Sequence, residues 1–210
     1  MQIVEIGNIK LLLVSIIKNK QVNYFDFFQW EHFKCFLQDQ VGTDHPTSIY
    51  VKLTKEYLLK IDNIDFDAIK VSITSIPYSH LHGEAVNQFI LELLRVFDES
   101  KREEFWNLAE FLSKWLMEQE ENIIYRLNYY QIIKRKRVFT HNEFKEIQNL
   151  KRKHQDTDVL LGISILLGNQ GDIQYYYEEL SDKVKKEFLN YPIMNLIEDK
   201  SFIEPVKKSL

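Results

Sequence analysis

From Pro77 onward the apolar residues of this chain recur at helical spacing, and before it they recur at two-residue spacing. Val86, Phe89, Ile90, Leu93 and Phe97 make one stripe; Phe105, Leu108, Leu112 and Trp115 make a second. Between them Ser100-Lys101-Arg102-Glu103 has the spacing of a capping box, in which serine and glutamate satisfy each other's amides. A third helix is expected from about Glu121 to Arg135, with Ile123, Leu127 and Tyr130 inward. Thr140 starts the next helix and Asp156 or Thr157 another. Gly168-Asn169-Gln170-Gly171 breaks the chain before DIQYYYEEL, Ser181 caps DKVKKEFLN, and Pro192 closes the series.

Ahead of Pro77 the period reads differently. Leu11 to Ile17 is a continuous apolar run, followed by KNKQ and VNYFDFF, which predicts two strands and a turn. Trp30, Phe33, Phe36 and Leu37 share one face of a short covering helix. Ile49, Val51 and Leu53 alternate with polar neighbours, as do Ile69, Val71 and Ile73. The expectation is an α+β protein: a small, mainly antiparallel sheet with one covering helix in residues 1–76, then a larger region of antiparallel helical hairpins in 77–210.

Composition bounds the class. With 45% hydrophobic residues, 6 glycines and 4 prolines in 210, the chain has the means to bury a core and too few breakers for disorder. The single Cys35 cannot form an internal disulfide, which fits a reducing, cytoplasmic setting. The apolar run in residues 9–20 is short for an export signal and lacks a small-residue cleavage site. VLLGISILLG at 159–168 is half the roughly 20 residues a membrane span needs, so no crossing is expected.

One stretch departs from the chain's acidic balance. Residues 121–154 carry Arg126, Lys134, Arg135, Lys136, Arg137, Lys145, Lys151, Arg152 and Lys153 against Glu121, Glu143 and Glu146. That local excess of six, in a chain of net charge −4, leaves −10 on the remainder. Arg126, Lys134 to Arg137 and Lys151 to Lys153, with tyrosines beside them, form a candidate nucleic-acid surface that would track a phosphate backbone. Equally, lysines and arginines gather at helix C-termini to oppose the dipole, and both clusters sit at such ends. Within the stretch, Thr140 and Glu143 have capping-box spacing, and Phe139 is placed to pack on Phe144 as a hydrophobic staple.

RKRVFTH, with Arg135 and His141, resembles the arginine-histidine signature of the helical HEPN ribonucleases. The resemblance implies an arginine steadying the scissile phosphate and a histidine handling the 2′-hydroxyl proton without a metal, in a site completed by a second subunit. Capping alone also accounts for VFTHNEF, and both readings stand. SHLHGE offers His80, His82 and Glu84 as three potential metal ligands in five residues, without a companion acidic or cysteine cluster. Ser79 as a helix cap explains the same segment. A phosphate-cradling glycine loop, a CxxC pair, a GxSxG elbow and an HExxH helix are all missing from the sequence, and no cofactor is expected.

NYFDFFQWEHFKCFLQDQ followed by TSIYVKLTKEYLLKID resembles the end of a widespread bacterial domain of unknown function with a restriction-endonuclease-like core, over residues 9–62. The resemblance implies a bacterial defence context. Such nucleases bind metal through an acidic residue and a Glu-x-Lys on adjacent strands. Here Glu99-Lys101, Glu143-Lys145 and Glu198-Lys200 fall on or beside expected helices, which implies a relative that keeps the helical part without the catalytic motif. The function expected is therefore a non-catalytic interaction or adaptor module. Its partner is foremost another protein, then nucleic acid, with a homodimer also open; the competing class is the metal-independent ribonuclease.

Overall fold

A computed structural model describes residues 64–203 apart from Asp65, Ile76 and Ser79. The strands expected at 11–17, 23–28 and 49–53, the covering helix with Cys35, and the 9–62 resemblance all lie outside the described residues. Among the described residues the chain is all helical, with no strand. The α+β expectation is corrected accordingly, because the one expected strand that can be inspected, 69–74, is a helix. Helix α1 runs Phe66–Thr74.

The burial pattern explains the misreading. Ile69 and Ile73 are 1% and 0% exposed, while Val71 between them is 66% exposed. A strand would have turned all three to one side; a helix puts residues four apart on one face and their midpoint on the other. Phe66 extends that face by three positions, and its ring meets Phe105 edge-on at 5.4 Å. Asp67 in the first turn pairs with Lys70 at 2.8 Å, a further helical spacing.

The chain divides into two compact units, Met1–Glu120 and Glu121–Leu210. In the first, α2 (His80–Ser100) and α3 (Glu103–Gln119) form a hairpin across a two-residue connection, and α1 packs on α3. Val86, Phe89, Ile90, Leu93 and Phe97 are buried, as are Phe105, Leu108, Leu112 and Leu116. Trp115 is half-buried, its ring edge-on to Tyr78 at 6.1 Å. The expected Ser100–Glu103 box does not form. Helix α2 continues through Ser100, whose hydroxyl accepts from Arg102 N at 3.3 Å, and Arg102 is the N-cap of α3 with no side-chain cap. The turn is made by Lys101, whose φ of 57° lies in the left-handed region.

The second unit is built around α6 (Thr157–Leu167), against which α4 (Ile123–Lys134), α5 (His141–Lys153), α7 (Gln170–Glu179) and a 3-10 turn (Pro192–Leu196) all pack. Leu161, Ile163, Ile165 and Leu166 are all buried, so α6 is apolar nearly all round. This is the greasy segment that was too short to span a bilayer; it is a core helix. Among the described residues no helix is long and apolar enough to cross a membrane. Gly168 ends α6 with φ 73°, a conformation that favours glycine. Asn169 and Ser181 accept from Asp172 N and Val184 N to start α7 and α8 (Asp182–Phe188).

Candidate functional site

The corner between α4 and α5 gathers the cations of KRKRVFTH around one cavity of about 630 Å³. Its construction begins with the helix start. Thr140 Oγ1 accepts from Glu143 N at 3.3 Å while Glu143 Oε2 accepts from Thr140 N at 2.7 Å, a complete capping box. Arg137 folds back onto the same carboxylate with two bonds, 2.7 and 2.6 Å. Those bonds, with the cap, hold the Glu143 carboxyl down at about 2. Phe139 stacks edge-on against Tyr130 at 5.8 Å. Burial, with the Glu146 carboxylate beside it, pushes the Tyr130 hydroxyl up.

Two further cations reach across the unit. Lys134 Nζ donates to the carbonyls of Ile165 and Leu166, both at 2.8 Å, and so closes the C-terminus of α6. Burial lowers its pKa. Arg135 donates to Gln131 O at 2.9 Å, capping its own helix, and to Pro192 O at 2.8 Å on the 3-10 turn. These partners are carbonyls. The bonds tie the end of α4 to the C-terminus of α6 and to the 3-10 turn, and the Glu198 carboxylate acts on Lys134 through its charge.

The rest of the lining is apolar and open. Val138 is 89% exposed at the tip of the turn, and Phe144, one turn into α5, is 39% exposed. Leu166 and Leu167 of α6 complete the wall. Lys136 and His141 are exposed, and both line the cavity.

The remaining basic residues fall elsewhere. Arg126 pairs with Glu146 at 3.0 Å and Glu121 at 3.6 Å. Lys151 is bonded to Asp172 and stands over the Tyr176 ring at 5.6 Å. Arg152 and Lys153 are exposed in the last turn of α5, eleven and twelve residues from His141, which at 1.5 Å per residue is about 17 to 18 Å. The structure thus groups Lys134, Arg135, Lys136 and Arg137 with His141, and sets Arg126, Lys151, Arg152 and Lys153 apart from them. All three glutamates of the basic stretch bond one of its arginines.

In the first unit His80 meets Glu84 at 3.3 Å and Glu120 at 3.2 Å, and Tyr78 donates to Glu120. The hydrogen bond to Glu120 raises the His80 pKa, helped by the charges of both carboxylates. His82 lies in α2. Among the described residues no three His, Cys, Asp or Glu side chains are grouped to hold a metal ion.

Sequence reasoning passed over Val138, Leu166, Leu167 and Pro192 as parts of this site. Val138 had a signal of its own, a lone apolar residue between a basic cluster and a capping motif. The other three come from segments distant in the chain and had none. Comparison with known proteins finds no matching family model, no matching curated protein and no matching solved structure.

Proposed function

We propose that this chain is a non-catalytic interaction module that binds another protein through the α4–α5 corner. The observation that carries the reading is Val138, an apolar side chain 89% exposed at the rim of a cavity lined by Lys134, Arg135, Lys136 and Arg137. Exposed apolar groups beside a concave surface mark binding sites, and here the backbone around them is held in place by a capping box and by hydrogen bonds within the second unit. A site that holds its shape before binding loses little entropy on docking. Arg135 supports the non-catalytic half of the proposal. Its guanidinium is engaged by Gln131 O and Pro192 O, whereas a phosphate-steadying arginine must turn its donors to the substrate.

The test is quantitative co-purification from the native host with wild type, Val138→Asp and Lys136→Glu, each first checked for an unchanged far-ultraviolet spectrum. The module reading expects the same protein to be retained by wild type and lost from both variants. Equal recovery in all three, or loss on nuclease treatment, contradicts it.

One observation favours the ribonuclease as a second reading: Arg135 and His141 line the same cavity. It expects cleavage of single-stranded RNA that persists in EDTA and vanishes in His141→Ala, whose fold is kept by the Thr140 cap. No cleavage by wild type ends that reading.

A further inference from the structure

We infer that His80 is a proton-operated latch at the open end of the α2–α3 hairpin: protonated, its ring ties the start of α2 to the end of α3, and loss of the proton lets those two ends loosen. The inference stands apart from the α4–α5 corner and concerns the first unit alone.

The two helices are joined at one end by the connection Lys101-Arg102; their other ends carry His80, the first residue of α2, and Glu120, the C-cap of α3. Both nitrogens of the His80 ring face carboxylates. Nε2 lies 3.3 Å from Glu84 Oε1 on its own helix, and Nδ1 lies 3.2 Å from Glu120 Oε2, 40 residues along the chain. A neutral imidazole has one N–H and one bare nitrogen, so it serves only one of these oxygens, whereas the imidazolium has a donor for each. The pair of contacts is therefore the arrangement of the charged ring. Tyr78 donates to the same Glu120 oxygen, and its ring stands edge-on to Trp115 of α3 at 6.1 Å. Deprotonation thus removes the charged half of a two-donor clamp and leaves the neutral half.

The surroundings of the ring set the direction. Among the described residues, Glu84 from α2 and Glu120 from the end of α3 are the charged groups that face it. The dipole at the start of α2 disfavours a cation there, so the carboxylates are what hold the proton. They raise the pKa above 6.5, the hydrogen bond to Glu120 most of all. The latch is closed below 6.5 and opens as pH rises through the raised value, toward neutrality. The His80 side chain is 62% exposed, so water replaces the lost contact. The buried residues Val86 to Phe97 and Phe105 to Leu116 keep the helices together, which confines the loosening to the two ends.

The experiment is residue-resolved amide hydrogen exchange on the full chain at about pH 5.5 and about pH 8, either side of the range in which histidine titrates, corrected for the intrinsic pH dependence of exchange. The reporters are the amides of residues 84–86, which bond back to the first turn of α2, and of 117–120, which close the last turn of α3; residues 90–97 are the internal reference. In wild type the reporters are expected to exchange about threefold faster at the higher pH, with the reference unchanged. His80→Gln, which has no ring to titrate, is expected to exchange at the faster rate at both values. Glu120→Gln is expected to lose the pH dependence at 117–120. The inference is overturned if wild type exchanges alike at both values, if the pH dependence survives in His80→Gln or at 117–120 in Glu120→Gln, or if the reference residues change by the same factor.

Discussion

Lys134 illustrates how a surface-looking cation becomes structural. Its side chain reaches 31 residues along the sequence to two carbonyls at the end of α6, where helix geometry leaves acceptors unpaired. Lys134→Met keeps most of the packing and removes both bonds. It should lower stability by about 1.5–3 kcal/mol, the range for hydrogen bonds to charged groups, read as a shifted urea midpoint at unchanged slope. His80 offers the complementary test by pH. Its folded pKa is raised above the ordinary 6.5, so its pairing with Glu120 contributes fully below 6.5 and is lost as pH rises through the folded value. A proton NMR titration of the His80 ring should give a midpoint above 6.5 that falls back toward it in Glu120→Gln; an unmoved midpoint would count against the pairing.

At the scale of elements, legibility depended on how local the cause was. The Thr140–Glu143 box involves four consecutive residues and formed as its spacing implied. The Ser100–Glu103 box has the same spacing and failed, because α2 keeps its helical hydrogen bonds through Ser100 and leaves Lys101 to make the turn. Residues 69–74 failed for a different reason: three branched residues at alternate positions satisfy a strand template, while Phe66, Ile69 and Ile73 satisfy a helical one that begins earlier. Substitution separates the two. Ile73→Ala should cost about 2–5 kcal/mol in thermal or urea unfolding, as for other fully buried isoleucines, and Val71→Ser should stay within about 0.5 kcal/mol. A strand with both residues inward would lose comparably from each.

At the scale of the molecule, the core cluster around α6 draws its buried members, among the described residues, from Leu127 to Ile203, inside the unit of residues 121–210. That fragment should therefore fold alone and melt as one cooperative transition by circular dichroism; a broad, non-cooperative loss of helix signal would contradict the division. The candidate site was only half legible at this scale. Its charge excess could be counted directly, and Arg135 and His141 were in view. Which cations are engaged could not be counted, because their partners at Ile165 and Pro192 lie 31 and 57 residues away and are brought in only by packing on α6. The single basic track expected from 121–154 resolves into a concave corner and a separate helix end for the same reason: α5 holds them apart.

The central claim is that the α4–α5 corner meets another protein. The most direct measurement is site-specific photo-crosslinking in the native host, with a photoreactive phenylalanine analogue placed at Val138 and, as control, at the exposed Gln174 on α7. The account predicts a discrete protein adduct from position 138 that is absent from position 174 and is lost when Lys136→Glu is added. Adducts to nucleic acid from position 138, or the same adducts from both positions, would contradict it.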